Sequence, residues 1–239
     1  YKYLMAGSDH LKKIEKYAAK CRAWNASQTL PWMKGVGLLP MENFFKYREQ
    51  LGTMEANFDA LVQNFLDAYP GLVSAQAFKL GKYYRAEEFP DVQTLPRRFR
   101  FEYNFLPVPE KGDFRIQCEA RVREDLAEQC GKMYGDKLRD AMRVPWERLH
   151  KMLTHMVERL TDEGGERKVF RDSLLSNPLE LCDLLTRLNV TRDPQLEEAR
   201  RMLERTVRAH DAEDLRKIPS ARVELRADVQ SILDKFNWE

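Results

Sequence analysis

The sequence predicts a mainly α fold, an elongated helical bundle with long helices and one inserted antiparallel β-hairpin, and three observations predict it. Apolar residues recur every three or four positions through most of the 239 residues, the spacing that lines one face of a helix. From Val122 to Leu160 that phase is almost unbroken. About 45 helical residues at ~1.5 Å each make a rod of roughly 65 Å, too long for a compact globule to enclose. Between Leu95 and Ile116 alone the period falls to two, the alternation of a half-buried strand.

Taken in order, Ser8-Asp9 offers a cap signal, and Leu11, Ile14, Ala18, Cys21 and Trp24 follow at helical spacing, so a first amphipathic helix is expected to end near Asn25. The stretch from Pro31 to Pro40 mixes two prolines and two glycines with large apolar groups and reads as an ordered crossing loop. Its Gly35-x-Gly37 is a weak phosphate signal, because no strand precedes it and no GK[ST] follows. Tyr47, Leu51, Met54, Phe58, Leu61 and Phe65 form a heptad-like seam, widened by Phe44, Phe45, Val62, Leu66 and Tyr69. Pro70-Gly71 is expected to end that helix, with a further helical piece over Val73 to Arg85.

Phe99, Phe101, Tyr103 and Phe105 alternate with Arg100, Glu102 and Asn104, which puts four aromatics on one face of a strand. After a turn rich in proline and glycine, Phe114 to Gln117 is expected to return as the partner strand. The long apolar series then carries Met142, Trp146, Leu149, Leu153, Met156 and Leu160 past Pro145, where a kink or break is expected. Gly164-Gly165 marks a hinge. Beyond it three helices are expected, over Val169 to Asn189 with a break near Asn177-Pro178, over Pro194 to His210, and over Pro219 to Phe236. The division is therefore an N-terminal helical region over 1–92, the hairpin insertion over 93–118, a long central helix over 119–163, and a C-terminal helical region over 164–239.

Lysine and arginine number 40 against 38 aspartate and glutamate, and the signs alternate instead of forming blocks. That balance gives no strong polyanion-binding field. No apolar run approaches the roughly 20 residues that cross a bilayer, and the four cysteines, Cys21, Cys118, Cys130 and Cys182, lack CxxC spacing. A cytoplasmic protein with reduced thiols, without a signal peptide, is the expectation.

No catalytic, cofactor-binding or metal-binding constellation is read from the sequence. His150 and His155 are five apart and diverge by about 140° on a helix, so they make a poor zinc pair. Neither GxSxG, SxxK nor HExxH occurs. Glu197 and Glu198 lie beside arginines at pairing distance, as on a solvated helix face. The sharpest functional candidate is Phe99, Phe101, Tyr103 and Phe105 beside Arg97, Arg98 and Arg100, since aromatic faces with cations are the ingredients of single-strand nucleic-acid binding. The preferred reading is that these aromatics pack under a helix.

The order Gly35-Val36-Gly37-Leu38-Leu39-Pro40, Phe65, Tyr69 and Phe89-Pro90, with Phe170, Asn177, Leu188-Asn189-Val190-Thr191, Asp193-Pro194 and Leu215-Arg216 before Arg222, resembles a domain family of unknown function. That family occurs in bacteriophages and mobile bacterial elements, often encoded near MoxR- or CobS-like AAA+ ATPases. The resemblance carries no catalytic residues. It implies a phage or mobile-element setting and a protein partner, such as an AAA+ ATPase. The function expected is thus a non-enzymatic helical adaptor or scaffold working through protein–protein contacts or self-association, with single-stranded nucleic-acid binding as the alternative.

Overall fold

The computed structural model describes residues 8–108, 120–161 and 169–238, and among them seven α-helices and one two-stranded antiparallel sheet. The fold is mainly α, as the three- and four-residue spacing predicts. Contacts divide the chain into two units that interleave in sequence: Tyr1–Ser27 with Phe44–Pro109, and Gln28–Asn43 with Glu110–Glu239. Residues 93–108 therefore belong to the body of the first unit.

In the first unit, α1 (His10–Gln28) lies along α2 (Phe44–Leu80). The Ser8 hydroxyl accepts from the His10 amide at 3.4 Å, supplying the expected cap. His10 lies near Phe65 at one end and Trp24 stacks on Tyr47 at the other, with ring centroids 6.5 and 4.9 Å apart, so the two helices run antiparallel. Ile14 meets Phe58, Val62, Phe65 and Tyr69 in a common core. The buried stripe of α2 passes from Phe58 to Val62 instead of Leu61, because a straight helix drifts from a strict seven-residue repeat. Phe45, expected to widen that stripe, faces solvent.

The helix does not end at Pro70 but runs on to Leu80. Pro70 sits on the exposed face, where water can satisfy the carbonyl that loses its donor, while Phe65 and Tyr69 hold the opposite face in the core.

In the second unit the stretch expected as a loop is the hairpin. β1 (Leu30–Met33) pairs with β2 (Val36–Leu38), with Leu30 opposite Leu38 and Met33 opposite Val36. Both glycines have structural reasons unrelated to phosphate. Gly35 takes φ +76° in the turn, and a β-carbon on Gly37 would stand 2.5 Å from Thr29 Oγ1, closer than non-bonded atoms approach. Gly37→Ala is expected to destabilise the protein by about 1–3 kcal/mol, read as a lower urea midpoint.

β1 lies on α3 (Ala120–Leu160), where Trp32 stacks on Tyr134 at 5.9 Å and Lys137 Nζ donates to the Trp32 carbonyl at 3.5 Å. α3 runs through Pro145 as one continuous helix. Its seam splits. Met142, Leu149, Leu153, Met156 and Leu160 are buried, with Trp146 packed against them, whereas Val122 and Met133 are exposed.

The remaining helices are α4 (Ser173–Leu188), α5 (Pro194–Arg208), α6 (Ala212–Lys217) and α7 (Pro219–Lys235), of which α7 and α4 pack on α3. α4 continues through Pro178, because Leu174, Pro178, Cys182, Leu185 and Leu188 form one buried face that holds the helix together. Asp193 caps α5 as Asp193-Pro194 predicts, accepting from the amides of Gln195 and Leu196 at 2.9 and 3.4 Å. Its other oxygen accepts from Trp146 Nε1 at 3.1 Å, tying the cap to α3. α6, unforeseen in the sequence, is capped by Asp211. The expected Gly164-Gly165 hinge lies outside the described residues.

Candidate functional site

Residues 99–108 form no strand, which corrects the hairpin expected there; its other half, Phe114 to Gln117, lies outside the described residues. The aromatics line up on a helix instead. Phe99 meets Phe65 and Phe101 meets Phe58, each with centroids 5.7 Å apart, while Phe105 meets Phe44 at 5.0 Å and Tyr47 at 6.2 Å. The segment thus runs antiparallel to α2. Alternate side chains of an extended segment point to one side, so Phe99, Phe101 and Phe105 can all meet the helix, while Tyr103 contacts its ring neighbours Phe101 and Phe105.

Upstream contacts anchor this path. Leu95 is buried in the core of the first unit, and the Tyr69 hydroxyl donates to the Pro90 carbonyl at 2.8 Å. Burial, more than any other influence, holds the Tyr69 phenol above its ordinary pKa. At the other end of α2, Tyr47 donates to Asn25 Oδ1 at 2.5 Å, and burial raises its pKa as well.

The candidate residues therefore divide into two groups. Phe99 and Phe101 are half-buried against α2, with Arg97, Arg98 and Arg100 exposed beside them. Arg100 lies 3.7 Å from Glu102 in an exposed pair, an interaction of small energy in water. Tyr103 and Phe105 keep 40% and 43% of their surface open, and Phe45, reached through Phe44, keeps 79%. Ring contacts make this group continuous: Tyr103 to Phe105 at 5.8 Å, Phe105 to Phe44 at 5.0 Å, Phe44 to Phe45 at 5.6 Å. Phe45 was not foreseen as part of a site, since a helical stripe accounts for it locally.

Elsewhere, several titratable groups are engaged within the protein. Arg200 bridges Glu197 at 2.9 Å and Glu204 at 2.7 Å along α5, and its hydrogen bonds hold both carboxyls below the usual range. Glu198 pairs with Lys235 at 2.7 Å. Burial pushes the Cys182 thiol up to about 12, far from the reactive thiolate range. Cys21 is buried too, and Cys130 half-buried. His150 stacks on Trp238 at 5.0 Å and His210 sits 2.9 Å from the Thr206 carbonyl. No group of three or more potential ligands is placed to hold a metal among the described residues. Comparison with protein-family models, curated proteins and solved structures gives no match to this chain.

Proposed function

We propose that this protein is a non-enzymatic helical adaptor or scaffold of the cytoplasm, acting through protein–protein contacts. The observation that supports it is the continuous open cluster of Phe45, Tyr103 and Phe105, joined through Phe44, on the first unit. Adjoining apolar side chains left in water cost solvation free energy that a partner surface recovers. The resemblance to phage and mobile-element domains encoded beside AAA+ ATPases suggests such an ATPase as the partner. No helix among the described residues is long and apolar enough to cross a membrane.

Single-stranded nucleic-acid binding is the competing reading. It needs open rings and cations side by side. Here Arg97, Arg98 and Arg100 flank Phe99 and Phe101, whose rings rest on Phe65 and Phe58, while the open apolar groups lie further along, from Tyr103 to Leu106.

Two variants separate the readings. Phe45→Asp is expected to fold normally and to lose about 2 kcal/mol or more of binding to the protein partner. The measurement is a pull-down from the native host with mass spectrometry, followed by titration of the protein identified. Phe101→Ala is expected to lower stability by ~2–3 kcal/mol, less than a fully buried aromatic. If Phe101→Ala instead keeps its stability and abolishes a steeply salt-dependent oligonucleotide affinity, the adaptor reading is wrong.

A further inference from the structure

Charges that balance over the whole chain do not balance on α1. From Lys12 to Arg22 the helix carries the cations Lys12, Lys13, Lys16, Lys20 and Arg22 against the single carboxylate of Glu15. At about 100° per residue, the four lysines fall within an arc of about 100° on the side away from Ile14 and Cys21, the buried residues of the helix. All four lysines are exposed, as are Ala19 and Ala23 beside them. Lys12 lies 3.8 Å from Asp9 in an open pair, an interaction of small energy in water. Lys13, Lys16 and Lys20 have no ion-pair partner among the described residues.

α5 carries its charges differently. Arg200 lies between Glu197 and Glu204, and Arg201 and Arg208 pair with the same two carboxylates at 2.6 and 3.0 Å, so that face neutralises itself. On α1, Lys12, Lys16 and Lys20 stand four apart, where like charges repel and weaken a helix. The helix dipole adds to that cost. The first turn of α1 has no acidic residue and the last turn no basic one, so Lys12 and Lys13 stand near the positive end. A polyanion lying on this face offsets both effects. Magnitudes choose which polyanion. An exposed lysine gains little from a carboxylate on a partner protein. A nucleic-acid duplex carries about one charge per 1.7 Å of axis, and each lysine that meets a phosphate releases a condensed counterion. The ~12 Å from Lys12 to Lys20 spans about seven such charges. Alanines beside the lysines can neither stack on a base nor read its edge, so the contact is with the backbone and indifferent to sequence.

We propose that the lysine face of α1 binds the phosphate backbone of double-stranded nucleic acid, through Lys12, Lys13, Lys16 and Lys20. This contact goes beyond the adaptor reading and does not use the aromatic cluster assigned to the protein partner. The test is fluorescence anisotropy of a labelled DNA duplex of about 20 base pairs, titrated with the full chain at several salt concentrations. Affinity is expected to fall with salt with a log–log slope of about −3 to −4, the value for four phosphate contacts. Lys16→Gln with Lys20→Gln places a good helix former at two exposed positions. It is expected to keep the melting temperature, to weaken low-salt binding roughly tenfold and to reduce the slope by about 2. Lys151→Gln with Arg226→Gln, exposed on α3 and α7, removes the same charge and is expected to leave the slope unchanged. Phe45→Asp, which tests the adaptor reading, is expected to leave it unchanged as well. Absence of salt-dependent binding overturns the proposal. So does equal weakening by the two double variants, which would reduce the effect to general charge. Polyglutamate competing as well as unlabelled duplex would also overturn it, by assigning the face to an acidic protein.

Discussion

Leu149→Ala is expected to destabilise the protein by about 3–5 kcal/mol, at the upper end for a leucine truncation. Leu149 has no exposed surface and belongs to a core that gathers Leu153 and Met156 of α3, Leu185 and Leu188 of α4, Leu203 of α5 and Leu225 and Ile232 of α7. Removing its branched end therefore opens a cavity bounded by helices that pack on one another and cannot collapse independently. The check is equilibrium urea unfolding against Arg143→Ala, an exposed position on the same helix expected to change stability by no more than ~0.5 kcal/mol. Equal midpoints for the two variants would show that the seam from Met142 to Leu160 is not core.

Phe65→Ala is expected to be comparably severe in the first unit, at about 3–5 kcal/mol. Only 2% of Phe65 is exposed, and its ring makes edge contacts with Tyr69 at 5.6 Å and Phe99 at 5.7 Å. Its loss removes the seat of Phe99 as well as its own buried area. Double substitution of Phe65 and Phe99 should then cost less than the sum of the single ones by ~0.5–1.5 kcal/mol, the coupling typical of an aromatic pair. Of the four tryptophans, Trp24 is the one in the first unit. A protein in which the other three are replaced by phenylalanine lets fluorescence report unfolding of that unit. An additive double mutant would mean that the segment from Phe99 to Phe105 does not rest on α2.

What could be read from the residues alone is what depends on neighbours three or four positions apart. The buried faces of α1 and α2, the seam from Met142 to Leu160, the stripe of α7 and the Asp193 cap all follow from side chains recurring on one side of a helix or an oxygen placed beside a free amide. None of the three prolines ends its helix, because each helix is also held from the side. Pro178 itself contributes to the buried face of α4, and Pro70 lies on the exposed face of α2. Strand placement was a tertiary decision. Alternation at Phe99 to Phe105 states only that every second side chain meets an apolar surface, and the flank of α2 provides that surface as well as a sheet would. The pairing of Leu30 with Leu38 arises from a turn that Gly35 permits and from the close approach of Gly37 to Thr29, neither visible in a stretch that also carries Pro31 and Pro40.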